Sequence, residues 1–406
     1  MQRTIRIVEF LAAAIIVMVL GGLGGWYFFI DQQVGETAQT DTARGFGSNL
    51  SFGEPGASVR PSADQPLLLG TSTVERRAPR LWRITPGPVS GFGFRSASSS
   101  IYYVERGNGN IMIADPETSQ VLRFTNTLVP KVYEALFTTG GSVLLRSIAE
   151  NGSVATFSGE AVATSSSAKT SIRSLSGSYL PADIVSIAVS GDTLYYVVRD
   201  PEGGSVIVAS SVRGTNQRKV LELPLSQWTV DSANDGSVLL AQKPADNVVG
   251  YAYTLSASGS LTRIALGPGL IAHPKTAGGP LLYSTSAGGL ALFARAGAEA
   301  TAVRLPIATT ADKCAWTRGS EPIAYCAVPI GNPGAGYLDR RAKGAAHTTD
   351  QWWRVDVAAG TADVFFSFPT GTSVDVMRPQ IDERSGTLVF MNAIDGSLWS
   401  LRLAAE

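Results

Sequence analysis

Beyond residue 79 the chain alternates short apolar runs with turns of Gly, Ser, Asp and Asn. The runs are rich in Val, Leu, Ile, Tyr and Phe and too short for amphipathic helices, so they predict strands. One phrase returns along the chain, a small-residue turn followed by a β-rich run. It reads "SSSIYYVE" at Ile101, "GGSVLLRS" at Val143, "SGDTLYYVV" at Leu194, "DGSVLLAQ" at Val238, "GGPLLYST" at Leu281, "SEPIAYCAV" at Ile323 and "SGTLVFMN" at Leu388. The intervals between these anchors are 42, 51, 44, 43, 42 and 65 residues. A period near 43 in an all-β chain matches one four-stranded propeller blade.

A second alternating run follows each phrase, such as "NIMIAD" or "SVIVASS", and a third follows in the first six repeats, such as "QVLRFTN" or "KVLELP". Pro224, Pro268, Pro306 and Pro369 end third runs, as suits a residue that cannot donate to a ladder. Each repeat thus predicts four strands, a to d from the axis outward, with the turn phrase between a and b. The seventh repeat stops one strand short at "SLWSLRLAAE", while "RLWRIT" (Arg80–Thr85) precedes the first inner strand. An N-terminal outer strand completing the last blade would close the ring and remove both open sheet edges. The expected fold is an all-β, seven-bladed β-propeller over residues 79–406. Six or eight blades stay open, because the second repeat is degenerate.

Ahead of the repeats, Phe10–Ile30 has no charged residue over 21 positions. As a helix it would be roughly 30 Å long, the thickness of a bilayer's hydrocarbon core. Arg3 and Arg6 precede it and Asp31 follows, so the positive-inside rule puts the N-terminus in the cytoplasm and the rest outside. Residues 1–30 are read as a cytoplasmic tip and transmembrane helix that contacts the lipid bilayer through residues 10–30. A cleaved signal peptide is the rival reading. Gly21 and Gly25 form a GxxxG pair of the kind that lets membrane helices approach. Residues 31–78, rich in Gly, Ser, Thr, Pro and Asp, read as a disordered linker.

"AWTRGSEPIAYCAV" (Ala315–Val328), "VDSANDGSVLLAQ" (Val230–Gln242) and "RPQIDERSGTLVFMNAIDGSLWSLRL" (Arg378–Leu403) resemble the repeats of TolB-like, WD40-like propellers. Residues 317–320 read "TRGS" where that family has "SPDG". The resemblance implies a propeller that binds proteins, peptides or small ligands, while the low-charge strands, the anchor and the long spacer suggest a bacterial envelope protein.

Lys+Arg and Asp+Glu balance at 33 each, which gives no pull toward nucleic acid. The chain has two histidines, His273 and His347, and shows no HExxH, CxxC, Walker loop or G-x-S-x-G elbow. No catalytic residue, metal site or cofactor is expected, and His273 reads as a structural residue of the fifth inner strand. "GNPGAG" (Gly331–Gly336) mimics a phosphate loop, but no helix is expected after it. Asp235-Gly236 and Asp395-Gly396 read as hairpin turns.

The 65-residue interval carries extra residues between strands b and c of the sixth blade, "IGNPGAGYLDRRAKGAAHTTDQ" (Ile330–Gln351). Propeller b–c and d–a connections share one face, so this insertion should project there, away from the face where the linker enters. Tyr337, Arg340, Arg341, Lys343 and His347 make it a candidate site for an envelope protein or peptide. Cys314 and Cys326 are symmetric about Ser320 and would face each other across strands a and b. A disulfide and two buried thiols both fit. The expected function is a membrane-anchored, extracytoplasmic propeller that binds a protein, peptide or glycan and performs no chemistry. An enzyme with a central-channel site, lactonase-like or quinoprotein-like, and a structural spacer are the alternatives.

Overall fold

The structure, a computed structural model, describes residues 78–95, 99–163 and 173–404. Those residues form seven four-stranded antiparallel sheets in a closed ring. The span expected to cross a membrane, with Gly21 and Gly25, and the linker up to residue 77 lie outside the described residues. Among the described residues no helix is long and apolar enough to cross a membrane. Ala78, at the expected end of the linker, is already buried in the ring.

Strand a of blades 1 to 7 runs Val89–Phe94, Val132–Phe137, Ser186–Ser190, Trp228–Ser232, Ile271–Pro274, Cys314–Trp316 and Val376–Asp382. Leu81–Thr85 is the outer strand of blade 7 and pairs with Leu398–Arg402, Leu81 opposite Leu401. The ring therefore closes by joining the N-terminal strand to the C-terminal blade.

Apolar side chains gather between blades rather than at the axis. Each of the seven interfaces holds its own cluster among the described residues. Trp352 of blade 6, for example, packs edge-on against Phe390 of blade 7 with ring centroids 5.3 Å apart. Strand b is covered by both neighbouring blades, so it is apolar on both faces. Thr387–Asn392 is buried along its whole length. This two-sided burial is why the b runs are the most regular signal in the chain.

Inner strands of adjacent blades approach closely in places. Ser90 Oγ donates to the Val132 carbonyl at 2.7 Å, and Val230 N–H donates to Ser186 Oγ at 3.1 Å. A Cβ at Gly91 would overlap the Ala135 carbonyl, so only glycine allows that approach. The pairing of strands a and b is bulged in blades 7, 1 and 2 and regular in blades 3 to 6.

Candidate functional site

The insertion of blade 6 leaves strand b at Pro329 and re-enters strand c at Asp350. It folds over its own face of the ring as a strap. Gly336, in the left-handed region at φ 67°, turns the chain into helix α1, Tyr337–Ala342. The expectation that no helix follows the glycine-rich stretch is thus corrected. Six residues are too few to hold a helix alone, and tertiary contacts hold this one. Asp339 N–H donates to Asp246 Oδ2 at 3.0 Å, and Asp246 N–H returns a bond to Asp339 Oδ1 at 3.2 Å. A carboxylate from the b–c connection of blade 4 therefore occupies the helix N-terminus. Leu338 packs on Gly269, between blades 4 and 5. Tyr337 is buried beneath the strap.

Two side chains of the strap reach carboxylates below it. Arg341 Nη1 donates to both oxygens of Asp312, at 2.9 and 3.2 Å, and to Thr310 Oγ1 at 3.2 Å. His347 Nδ1 lies 3.2 Å from Asp375 Oδ2. Arg340 and Lys343 remain exposed. Arg340 braces the strap through a 2.8 Å bond to the Pro333 carbonyl.

Beneath lies a buried ionic cluster. Lys313, fully buried before the inner strand of blade 6, donates to Thr348 Oγ1 (2.7 Å), Asp350 Oδ2 (2.7 Å) and Asp375 Oδ1 (2.6 Å). Val376 N–H donates to Asp350 Oδ2 at 2.8 Å, and Asp375 N–H donates to Asn392 Oδ1 at 3.0 Å. Burial pulls the Lys313 pKa down, but Asp350, Tyr337 and Asp375 outweigh it and the net value is raised. Burial likewise raises Asp375, but Lys313 and the bonds from Thr348 and His347 hold it below the usual carboxylate value. The cluster pins blade 6 to blade 7 and anchors the root of the strap.

A polar axis runs through the ring. An inner strand has its outward edge bonded to strand b and its flanks covered by neighbouring blades, so a residue exposed there faces the central channel. Asp231 of blade 4, and Arg378 and Gln380 of blade 7, are exposed on inner strands, while Glu134 of blade 2 and His273 of blade 5 are half-buried. Arg378 reaches past blade 1 to pair with Glu134, which also pairs with Arg146. The ring of His273 stacks on Trp316, whose Nε1 donates to the His273 carbonyl at 3.0 Å.

Asp231 and His273 perturb one another. Desolvation inside the channel raises the Asp231 carboxyl although the side chain stays open to water, and the Ser232 N–H, His273 and Arg378 offset it only in part. Burial lowers the His273 imidazole, opposed by Asp231 and Asp312. His273 is thus held neutral in the folded chain. A base whose folded pKa is depressed binds its proton more readily when unfolded, so its contribution falls as pH drops below about 6.5. Between pH 7 and pH 5 the folded chain should lose stability with a slope of at most about 1.4 kcal/mol per pH unit from this residue. Denaturant titrations at several pH values, repeated on His273→Gln, check it; an equal slope in the variant rules His273 out as the cause.

The structure therefore gathers groups that the sequence left apart. His273 does sit on the fifth inner strand, stacked on Trp316 and near Asp231. Asp231, Glu134, Arg378, Gln380, Lys313, Asp350 and Asp375 carried no motif. The one available signal was a polar residue on a predicted inner strand. Cys314 and Cys326 stand opposite one another with Cα atoms 4.0 Å apart and are joined as a disulfide. Among the described residues no group of three or more His, Cys, Asp or Glu is arranged to hold a metal.

No family model and no curated protein matches the chain. Among solved structures it is similar to an oligogalacturonate lyase in complex with manganese, at 11% identity and TM-score 0.49, covering 80% of this chain and 93% of that one. It is similar to a prolyl endopeptidase at 12% identity and TM-score 0.48, covering 77% of this chain and 50% of that one. It is also similar to the Cps50 (Swd1) β-propeller domain of Myceliophteria thermophila, at 10% identity and TM-score 0.49, covering 80% of this chain and all of that domain, 100%. At such identities the likeness is one of fold, the β-propeller already seen in the sheet order. The expectation that the chain performs no chemistry is corrected. The channel presents carboxylates, an amide and an imidazole, so that expectation does not stand.

Proposed function

We propose that the chain is a membrane-anchored, extracytoplasmic propeller whose axial channel receives a polar, charged ligand at the face carrying the strap. One observation carries this reading: inner strands of blades 2, 4, 5 and 7 bring Glu134, Asp231, His273, Arg378 and Gln380 to the channel. Convergent polar groups in a concave site with perturbed titration are the usual mark of a ligand site. Arg341 and Asp312 belong to the channel mouth, and the exposed Arg340, Lys343 and His347 form a rim for a partner. The anchor rests on the uncharged run Phe10–Ile30 and the arginines before it, and the TolB-like phrases agree with an envelope setting.

Thermal denaturation of the full-length chain against a panel of carboxylates, phosphates, sugars and amino acids tests the channel. A true ligand at about 100 times its Kd adds about 2.7 kcal/mol to the folded state. That stabilisation should vanish in Asp231→Asn or Arg378→Gly. A ligand that stabilises both variants as strongly as the parent places the site elsewhere.

A further inference from the structure

We infer that the ligand of the channel is a zwitterion, an amino acid or short peptide whose carboxylate meets Arg378 and whose ammonium meets Asp231. This rests on the channel reading above and goes further, because the channel's charges are divided between two walls.

The wall from blades 7, 1 and 2 is cationic. Arg146 and Arg378 share the single carboxylate of Glu134, which leaves one net positive charge. Arg146 is buried and also donates to the Ile184 carbonyl, so it is committed to structure. Arg378 gives Glu134 one bond, is 41% exposed, and keeps further donors of its guanidinium for a ligand.

Its placement has a specific backbone origin. Arg378 has φ 52° and is the only non-glycine residue inside a strand with a left-handed φ among the described residues. It sits in the bulge where Met377 faces Met391 and the next paired residue, Gln380, faces Val389. Pro379 follows, so the bulge leaves no N–H without a partner at that position. Inner-strand bulges re-aim side chains and recur beside functional sites. Those of this ring fall in the three blades of the cationic wall.

The wall from blades 4 to 6 is acidic. Asp312 is already neutralised by Arg341. Asp231 accepts the Ser232 N–H at 2.8 Å and has no ion-pair partner among the described residues. His273 beside it is neutral and offers a further polar contact. The positive charge of Arg378 is near enough to favour the Asp231 carboxylate. An anion alone would meet Arg378 but face Asp231, a cation alone would do the reverse, and a neutral sugar would leave both charges unmatched. A ligand with both charges satisfies both walls.

Calorimetry on the full-length chain decides it, with free L-amino acids and dipeptides as probes beside their N-acetylated and C-amidated forms. At least one free zwitterion should bind, and blocking either end should weaken it about 10- to 100-fold. Amino acids and dipeptides separate the two sources of this chemistry. Arg378→Gly suits the left-handed backbone and should fold; it should bind acid and amide forms alike. Asp231→Asn should no longer distinguish free from acetylated amines. Blocked forms that bind the parent as tightly as free ones overturn the inference. If instead a singly charged ligand binds through Arg378 or Asp231 and no zwitterion does, the zwitterion fails while the channel reading survives. If binding of every probe ignores both residues, both readings fall.

Discussion

Lys313→Met should cost about 3–5 kcal/mol of folding stability. The ammonium is wholly buried and holds two carboxylates, Asp350 and Asp375, that are themselves buried. Methionine fills similar space but leaves two carboxylates confined together, with bonds from Thr348 and Val376 N–H in place of a countercharge. The loss therefore comes from stranded charge rather than from a cavity. Denaturant unfolding of parent and variant measures it, and a loss under about 1 kcal/mol would remove the cluster from any structural role. In the parent, the folded Asp375 pKa lies below its unfolded value, so its contribution is present above about pH 4 and is lost as pH falls through the folded pKa. Lys313 has a raised pKa, so its contribution is complete below about pH 10.5 and disappears only above that. The cluster itself should thus be indifferent to pH between those limits.

Replacing Cys314 and Cys326 together by alanine should cost about 3 kcal/mol, since the bond closes a short loop in the unfolded chain. The two residues are separated by 12 positions and buried in the interface of blades 5 and 6. Strand a of blade 6 is only three residues long, so the bond supports a hairpin with few ladder contacts of its own. The strand begins directly after Asp312 and Lys313. Loss of the bond should therefore loosen the channel mouth before it unfolds the ring. Hydrogen exchange on the reduced and oxidised chain reads this out: faster exchange around residues 310–326 is expected, and uniform acceleration through all seven blades counts against it.

Much of the ring could be read from the chain because strand b is buried on both faces. "IYYV", "TLYYVV" and "TLVFMN" are continuous apolar runs, and their spacing counts blades directly. Closure was legible because a strand missing at one end was present at the other. The strap was legible as a length but not as a helix, because "YLDRRA" carries no periodicity and depends on Asp246, 93 residues away. The channel was the least visible part. Its charges come one per inner strand from distant repeats, and Arg378 in "MRPQID" looks like an ordinary solvent-facing arginine. What selects it is a left-handed φ and a bulge, properties of the backbone that no residue type announces.

The joint between Leu81–Thr85 and Leu398–Arg402 also sets an order of events. The first strand of the ring to be made is the last to find its partner, because that partner follows the other six blades in the chain. Six blades can assemble from neighbours in sequence as they appear. Until blade 7 is made, Ile84 has no sheet to join, and blade 1 keeps Val89, Phe92 and Ile101 uncovered on one flank. A chain lacking Leu398–Arg402 would leave two sheet edges open at once. The cell should meet such a product as an aggregation hazard rather than as a slightly shorter protein.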